Sequence, residues 1–368
     1  MKEVKLPSPR GEYKVGTTVF SIYDSDRTET IGPNKGSKGR HIRGRLYYPV
    51  LPEDAEGFPQ DEVLSKALCE GLSRAFHVPV KEPVKGEYYR DVSPAPGRFP
   101  LIVYSHGMGA YAEANHFLCM ELCSHGYNIL AVGHAFDSAA NEYEDGSVDY
   151  FDKSLNMKTY QPFLSGAAAT LRFCSDRKSS SEELGMKFRV LQEKYYNFLI
   201  GYLDERAKDV RTVTDEAIKR FKDRIDLTHG IGITGHSMGG ATAYYLCRHD
   251  SQFTAGINLD GILIGRYDGM MMQKPFYQIN CENNINVSVQ AALQTSAPFY
   301  WEVFKGMQHH GFCDLKFFIP VSAVVGKMPP SVFHENLCRI HKTFFDRYLK
   351  DSPEEVFCPE GKDFIRRV

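Results

Sequence analysis

The sequence predicts an α/β fold built on a doubly wound, mostly parallel sheet. Strand-like apolar runs alternate with segments of helical period along most of the 368 residues. Residues 99–105 (FPLIVYS) are continuously apolar, which suits a sheet that is covered by helices on both faces. A third observation supports this fold class: the strand-like run of residues 231–234 leads through a Gly-rich turn into a helix-compatible run at 240–247.

Eight apolar runs are predicted to be strands, and three segments are predicted to be helices. The strands are expected at residues 14–21, 45–49, 99–105, 127–132, 231–234, 253–259, 275–279 and 299–304. The helices are expected at residues 114–124, 240–247 and 331–349. Residues 28–44 are polar, glycine-rich and locally basic, which predicts an exposed hairpin loop. The order of elements over residues 99–132 predicts a right-handed parallel crossover.

Residues 150–226 differ in character from the rest of the chain. They are rich in charge and in helix formers, and they contain no clear strand. Since no long linker interrupts the chain, we expect one domain over residues 1–368, with a helical cap inserted at about 150–226.

Composition limits the partners and the compartment. The formal net charge is −2, which argues against nucleic acid as the main partner. No apolar run is long enough for a spanning helix, and no signal sequence is evident, so we expect a cytoplasmic protein, with peripheral contact at membranes. The nine cysteines, scattered through apolar runs, suit reduced thiols. We expect no cofactor and no metal site, because the histidines of residues 106–134 fall on different elements.

The most informative segment is Gly235-His236-Ser237-Met238-Gly239. It has the G-x-S-x-G pattern between a strand and a helix, which is the sharp turn that presents a nucleophilic serine in α/β-hydrolases. Its glycines allow the strand and the helix to approach each other, and the helix N-terminus favours a developing oxyanion. Ser237 is therefore the candidate nucleophile in a predicted α/β-hydrolase fold.

A serine nucleophile needs a base and an acid, which follow it along the chain in hydrolases of this fold. Two acids are candidates: Asp260 ends the strand after the nucleophile helix, and Glu282 follows the next strand. Position favours Asp260 without excluding Glu282, since functional groups gather at the carboxyl ends of strands.

The base is expected in the loop around residues 306–311, and spacing alone does not separate His309 from His310. The later His334 and His341 lie on the predicted C-terminal helix and are expected to be surface or core residues.

An oxyanion hole requires two backbone N–H donors. One is expected from Met238, the residue after the nucleophile. The other is expected from Met108 in the Gly-rich turn of residues 105–110, with His106 as an orienting side chain.

Residues 63–76 have an apolar stripe made by Leu64, Leu68, Leu72 and Phe76. Such a stripe predicts either a helix that docks on a lipid surface or an amphipathic helix that packs on the core. Sequence spacing leaves both interpretations open.

Taken together, these motifs resemble the platelet-activating factor acetylhydrolase family, in its secreted plasma and intracellular type II forms. The resemblance extends over most of the chain and is carried by FPLIVYSHGMGAY, ELCSHGYNILAVGHAFDSAA, ITGHSMGGATA, INLDG and GMQHHGFCD. It implies that Ser237 is the nucleophile, Asp260 the acid and His309 the base, with Met108 and Met238 at the oxyanion positions. The family has Leu and Phe at the two methionine positions, so the shape of the pocket is expected to differ.

The resemblance implies a calcium-independent serine esterase that removes a short or oxidised sn-2 acyl group from phospholipids, through an acyl-serine intermediate. A phospholipid substrate and contact with a lipid surface follow from it, whereas the oligomeric state does not. A broader carboxylesterase or polyester hydrolase is an alternative, because GHSMGG also occurs in such enzymes. A non-catalytic binding protein of the same fold is disfavoured, since Ser, Asp and His are all retained.

Overall fold

The computed structural model describes residues 6–76, 86–265, 269–319 and 321–367. The side chains of residues 76, 156 and 158–163 lie outside this described part. The strands are β1 (Lys14–Thr28), β2 (Lys38–Val50), β3 (Tyr89–Arg90), β4 (Phe99–Ser105), β5 (Asn128–Gly133), β6 (Ala140–Glu142), β7 (Val148–Tyr150), β8 (Ile225–Asp226), β9 (Ile231–His236), β10 (Phe253–Leu259), β11 (Phe276–Cys281), β12 (Phe299–Phe304) and β13 (Phe364–Arg367).

The helices lie between these strands along the chain. They are α1 (Lys66–Phe76), α2 (His116–Ser124), α3 (Lys153–Cys174), α4 (Ser181–Tyr195), α5 (Asn197–Arg220), α6 (Met238–His249), α7 (Val289–Leu293), α8 (Leu315–Phe318), α9 (Ser322–Val325) and α10 (Pro330–Leu349). A short 3₁₀ turn at His309–Phe312 follows β12.

One large sheet runs in the order β13-β12-β11-β10-β9-β4-β5-β2-β1-β3. The central strands from β5 through β4, β9, β10 and β11 to β12 are parallel, whereas β2 joins β5 and β13 joins β12 in antiparallel fashion. The predicted doubly wound, mostly parallel sheet is therefore confirmed.

Side chains alternate across the central strands, so helices cover both faces. On β4, Ile102 and Tyr104 pack in the cluster that contains residues of α2 and α10. Leu101 and Val103 face the other way, toward α5 and α6. A strand buried on both faces must be apolar at every position, which is why residues 99–105 show no polar alternation.

The segment of residues 150–226 contains α3, α4 and α5, and only the two-residue strand β8 near its end. Helix α4 begins with a capping box in which the Ser180 side chain accepts from the Glu183 N–H and Glu183 bonds back to Ser180. Phe173 of α3 stacks on Phe188 of α4 with ring centroids 5.6 Å apart. Both rings belong to a third apolar cluster, which also contains Met238.

The predicted exposed loop at residues 28–44 is wrong in its second half. β2 starts at Lys38 and pairs with β1, and Arg40 is 1% exposed. Arg40 is buried because its guanidinium bonds Asp209 twice, at 2.8 Å each, and Glu29 at 2.5 Å. A basic residue with such partners enters the interior, which the local composition does not reveal.

The apolar stripe near residues 63–76 packs on the core. Leu64, Leu68 and Leu72 are buried, and they belong to the cluster that includes Tyr47 and Tyr104. The side chain of Phe76 lies outside the described residues. The three leucines therefore adopt the packed arrangement and do not form an exposed docking surface. Within the described residues, no helix combines the length and the apolar character needed to cross a bilayer.

Candidate active site

Ser237 lies at the turn between β9 and α6, and its backbone is in the left-handed region. Its φ is 56° and its ψ is −121°, a conformation that non-glycine residues rarely adopt. The turn is possible because Gly239 lies against β4: a Cβ there would be 1.8 Å from the Ser105 carbonyl oxygen. The sequence Gly-x-Ser-x-Gly thus folds into a tight strand-to-helix turn that leaves the serine partly exposed.

Three predicted site residues form one hydrogen-bonded chain. Ser237 Oγ lies 2.9 Å from His309 Nε2, and His309 Nδ1 lies 2.7 Å from Asp260 Oδ2. His309 stands in the 3₁₀ turn after β12, and Asp260 stands at the carboxyl end of β10. The parallel sheet brings these distant residues to one edge.

Asp260 is fully buried but held as a carboxylate. Burial raises the pKa of its carboxyl, but the hydrogen bond and the charge of His309 outweigh it and leave the pKa below its ordinary value. The carboxylate also accepts from Cys281 N at 2.7 Å and from Asn284 Nδ2 at 2.8 Å. An ionised acceptor requires a proton on His309 Nδ1, so Nε2 is free to accept from Ser237 Oγ.

The alternatives left open by sequence spacing occupy other positions. Glu282 Oε2 accepts from the Gly306 N–H at 2.9 Å, and so it anchors the start of the loop that carries His309. His310 lies beside His309, with ring centroids 5.4 Å apart, and does not bond Ser237. His334 and His341 are both buried on α10, outside the chain of hydrogen bonds.

His236 fixes the backbone of the candidate base. Its Nε2 lies 2.9 Å from the His309 carbonyl oxygen, and its ring is 4.9 Å from the ring of His309. Burial, reinforced by the nearby charge of His309, lowers the pKa of His236 to about 3. His236 is therefore neutral at pH 7, and it donates to this carbonyl through Nε2.

The loop of residues 105–110 lies beside Ser237. A Cβ on Gly107 would be 3.1 Å from the Ser237 Cβ, so the loop backbone passes directly along the serine. Met238 is the first residue of α6 and is buried, and Met108 is partly buried in the loop. Of the two predicted oxyanion residues, Met238 directly follows Ser237, and Met108 directly follows Gly107, whose backbone passes along the serine.

Two residues that the sequence analysis missed hold this loop. The guanidinium of Arg206 bonds the Asp137 carboxylate and the His106 carbonyl oxygen. Asp137 Oδ1 accepts from the Gly109 N–H at 3.1 Å. His106, predicted as an orienting side chain, places its Nε2 2.9 Å from Ser138 Oγ. The signal for Arg206 was an arginine within the apolar stripe of α5, where a charged residue needs a buried partner.

Among the residues that the structure describes, no group of three His, Cys, Asp or Glu side chains is arranged to hold a metal ion. Ser237, His309 and Asp260 are instead hydrogen-bonded to one another.

Comparisons with known proteins agree on one family. The model of the family described as platelet-activating factor acetylhydrolase, isoform II, matches residues 1–330. The chain is 24% identical over 369 residues to a platelet-activating factor acetylhydrolase of Cavia porcellus, which covers 94% of this chain and 78% of that relative. It is 22% identical over 351 residues to a probable 1-alkyl-2-acetylglycerophosphocholine esterase of Arthroderma benhamiae, covering 88% of this chain and 80% of the relative.

Among solved structures, a ferulic acid esterase from Streptomyces cinnamoneus is similar over the whole fold. The TM-score is 0.74 with 22% identity, and the match covers 99% of both chains. At this identity the likeness concerns the fold, which is that of the α/β-hydrolases.

Proposed function

This chain belongs to the platelet-activating factor acetylhydrolase isoform II family, and we propose that it hydrolyses the sn-2 ester of phospholipids whose sn-2 acyl group is short or oxidised, such as platelet-activating factor. The observation that carries the proposal is the hydrogen-bonded chain Ser237–His309–Asp260, with distances of 2.9 Å and 2.7 Å. It stands at the carboxyl edge of the sheet, where open α/β sheets bind their substrates.

In the first half of the proposed reaction, Ser237 Oγ attacks the carbonyl carbon of the sn-2 ester and gives its proton to His309 Nε2. The N–H groups of Met108 and Met238 stabilise the resulting oxyanion. The tetrahedral intermediate then expels the sn-2 oxygen of the lysophospholipid, which takes the proton from His309. An acyl-Ser237 ester remains, and Asp260 stabilises the imidazolium throughout.

In the second half, His309 takes a proton from water while the water oxygen attacks the acyl-Ser237 carbonyl. Collapse of the second tetrahedral intermediate releases the short-chain carboxylate and returns the proton to Ser237 Oγ. Since backbone N–H groups stabilise the oxyanion in both halves, we propose that no calcium ion is required, and we expect activity to survive an excess of EDTA.

The test compares phospholipids that differ only in the length of the sn-2 acyl chain, with a simple aryl acetate as the reference substrate. We expect kcat/KM to fall steeply once the acyl chain exceeds a short length, and Ser237→Ala to lose both hydrolysis and labelling by a fluorophosphonate probe. Equal preference for aryl acetate and for short-acyl phospholipid would favour the broader carboxylesterase. A wild-type protein that the probe does not label would contradict the serine mechanism altogether.

We also propose that the outer faces of α3 and α4 touch the lipid surface from which the substrate comes. Gly166 lies against the Tyr195 ring and Phe173 against Phe188, so the two helices are antiparallel, with Leu171 at the level of Val190. Four side chains on these outer faces are strongly exposed: Leu164 at 76%, Leu171 at 68%, Val190 at 63% and Met186 at 55%.

Charge supports a phospholipid surface as the occupant. Arg172 and Arg189 are exposed at the level of the same apolar side chains, and neither has an ion-pair partner within the described residues. Glu193 is the acidic residue exposed on the same stretch of α4. Apolar side chains flanked by free guanidinium groups match acyl chains below a layer of phosphates.

The surface is tested with the double variant Leu171→Ser and Val190→Ser, and the matched control is Val321→Ser with Ile365→Ser, at exposed positions elsewhere. We expect the first pair to lose sedimentation with phosphatidylcholine vesicles and to retain kcat/KM on a soluble aryl acetate. The control should keep both. Unchanged vesicle binding, or a change in oligomeric state on size exclusion, would assign the surface to another role.

A cytoplasmic location is proposed from thiol chemistry. All nine cysteines are unpaired, and seven of them are buried. Free thiols are usual where the compartment keeps cysteines reduced. Cell fractionation with a tagged full-length chain tests this directly.

A further inference from the structure

The loop that supplies the Met108 N–H is fastened to the loop after β5. The Gly109 N–H donates both to the Asp137 carbonyl oxygen at 2.9 Å and to Asp137 Oδ1 at 3.1 Å. The Ala139 N–H donates to the Ala110 carbonyl oxygen at 2.6 Å. Gly109 has a φ of 74°, so the backbone turns sharply immediately after Met108. The position of the Met108 N–H therefore depends on where Asp137 stands.

Asp137 is in turn held by helix α5. Arg206 of α5 donates to the second carboxylate oxygen of Asp137, to the His106 carbonyl oxygen and to Ser105 Oγ, the last at 3.2 Å. Arg206 is 1% exposed and Asp137 is 0% exposed. One guanidinium thus bonds the start of the turn directly and holds Gly109, near its end, through Asp137. Removal of either charge would leave the other buried without its partner.

The same pair continues into a wider buried network. Ser105 Oγ lies 3.0 Å from His134 Nε2, and His134 Nδ1 lies 2.9 Å from Asp209 Oδ2. Asp209 accepts from Arg40 Nε and Nη2 at 2.8 Å each. Burial, and then the positive charge of Arg206, lowers the pKa of His134 to about 4, so this histidine is neutral at pH 7. The network joins α5, the β1–β2 hairpin and the loop beside Ser237.

We propose that Arg206 and Asp137 are positioning residues that set the Met108 N–H for oxyanion stabilisation, so that helix α5 controls the catalytic efficiency of the site. This inference rests on the proposed function, in which the Met108 N–H is an oxyanion donor. A donor must lie within about 3 Å of the place where the oxyanion forms, and a backbone N–H can be aimed only by whatever anchors its loop. Here the anchors are Arg206 and Asp137.

The anchors of the other site residues are separate from this pair. The Ser237 N–H donates to the Leu259 carbonyl oxygen at 2.9 Å, and Asp260 accepts from Cys281 N at 2.7 Å. His309 is fixed through its carbonyl oxygen by His236. A change at Arg206 or Asp137 is therefore expected to displace the oxyanion donor while the Ser–His–Asp chain keeps its geometry.

The experiment uses Asp137→Asn, Asp137→Ala and Arg206→Lys in the full chain. Asn keeps the side-chain acceptor for the Gly109 N–H and loses the charge. Ala loses the side-chain acceptor and the charge, and it leaves Gly109 only the carbonyl oxygen of residue 137. Lys keeps the charge of Arg206 but not its fork of donors. The control is Asp346→Asn on α10, a buried carboxylate that accepts from Tyr127 at 2.6 Å and from Lys342 at 2.5 Å. Each variant is measured for kcat and KM on an aryl acetate, for inhibition by a trifluoromethyl ketone and for Tm.

We expect kcat to fall about tenfold in Asp137→Asn and Arg206→Lys and about a hundredfold in Asp137→Ala, with KM changed by less than about twofold. The inhibition constant of the ketone, whose adduct carries the oxyanion, should rise by a factor similar to the loss in kcat/KM. Asp346→Asn should lower Tm and leave kcat and the inhibition constant unchanged, which is the behaviour of a purely structural carboxylate.

Steady-state kinetics can overturn the positioning role in two ways. One is a kcat within about twofold of wild type in both Asp137→Asn and Arg206→Lys. The other is a loss of kcat without any weakening of the ketone. If a fluorophosphonate labels wild type and all variants at one rate, only this inference fails. If the wild-type serine is not labelled, the proposed function fails with it. Hydrolysis of aryl acetate but not of short-acyl phospholipid would refute the proposed substrate alone.

Discussion

Three residues close to the candidate site hold a left-handed backbone without being glycine. Ser237, Asp260 and Phe136 have φ values of 56°, 55° and 57°. Such conformations cost free energy, on the order of 1–3 kcal/mol each, and they persist only where the surroundings fix them. At Ser237 and Asp260 the strain places one side chain at the end of β9 and the other at the end of β10, where a single imidazole reaches both.

The two carboxylates near His309 are expected to differ sharply in their effect on turnover. Asp260→Asn should lower kcat by roughly a thousandfold or more, because a neutral amide can no longer hold the His309 tautomer or stabilise the imidazolium. Glu282→Gln should lower kcat by less than about tenfold, since an amide oxygen can still accept from the Gly306 N–H. Steady-state rates on an aryl acetate measure both effects.

Expression level and Tm of the two variants provide the control, because both substitutions are isosteric. A larger loss in Glu282→Gln than in Asp260→Asn would transfer the acid role to the later strand. Sequence position favoured Asp260 without deciding, and the choice is now a geometric prediction that rests on the 2.7 Å contact with His309.

At the scale of elements, the approach of α6 to β4 depends on the absence of side chains. A Cβ on Gly239 would lie 1.8 Å from the Ser105 carbonyl oxygen, and one on Gly240 would lie 1.7 Å from Asn258 Oδ1. The helix would have to move away from the sheet to accept either. Because α6 carries Met238 at its first turn, such a movement would displace an oxyanion donor as well.

Gly239→Ala is therefore expected to lower Tm markedly and to abolish activity, because backbone atoms of β4 cannot give way cheaply. The matched control is Gly201→Ala, at an exposed position of α5, where an added Cβ meets nothing within 4 Å. That substitution should raise stability by about 0.5–1 kcal/mol through helix propensity. Thermal melts of the two variants measure both effects. A similar shift in Tm for Gly239→Ala and Gly201→Ala would contradict the packing argument.

Element boundaries show where sequence patterns were sufficient. β4, β10 and β12 begin and end where their apolar runs do, at residues 99–105, 253–259 and 299–304. The start of β2 at Lys38 was missed, as was β13 at the sheet edge. In both cases polar or charged residues are strand residues because of partners elsewhere in the fold, such as Asp209 for Arg40. Local periodicity contains no information about such partners.

At the scale of the whole molecule, the sheet buries the carboxyl of Glu302 where β12 pairs with the edge strand β13. Glu302 on β12 is 0% exposed, and no N–H or O–H group of the described residues donates a hydrogen bond to its oxygens. Arg366 Nε, on β13, lies 4.0 Å from Glu302 Oε1. Burial raises the pKa of Glu302 from 4.5 to about 7, and the charge of Arg366 offsets only part of that rise.

This raised pKa predicts a definite pH dependence of stability. Between pH 4.5 and about 7 the folded state binds more protons at Glu302 than the unfolded state, so its contribution to stability is present at low pH and lost as the pH rises. Glu302→Gln removes the ionisation, and at pH 8 it should be more stable than wild type by about 2–3 kcal/mol, with little difference at pH 4.5.

Urea unfolding of wild type and Glu302→Gln at the two pH values measures the change, with exposed Glu282→Gln as the control that should follow wild type. If the difference in free energy of unfolding between wild type and Glu302→Gln did not change with pH, the prediction would be wrong.

The sequence by itself determined the fold class, the strand-to-helix turn at Ser237 and the family resemblance, because each depends on residue types at short spacing. Tertiary structure decided among side chains that lie far apart along the chain. It brought His309 rather than His310 to Ser237. It gave Glu282 a backbone partner, and it placed Leu64, Leu68 and Leu72 in the core. It also formed the buried ion pair between Arg206 and Asp137. Hydrogen bonds and burial between distant residues depend on how the sheet assembles, and that assembly is a property of the whole chain.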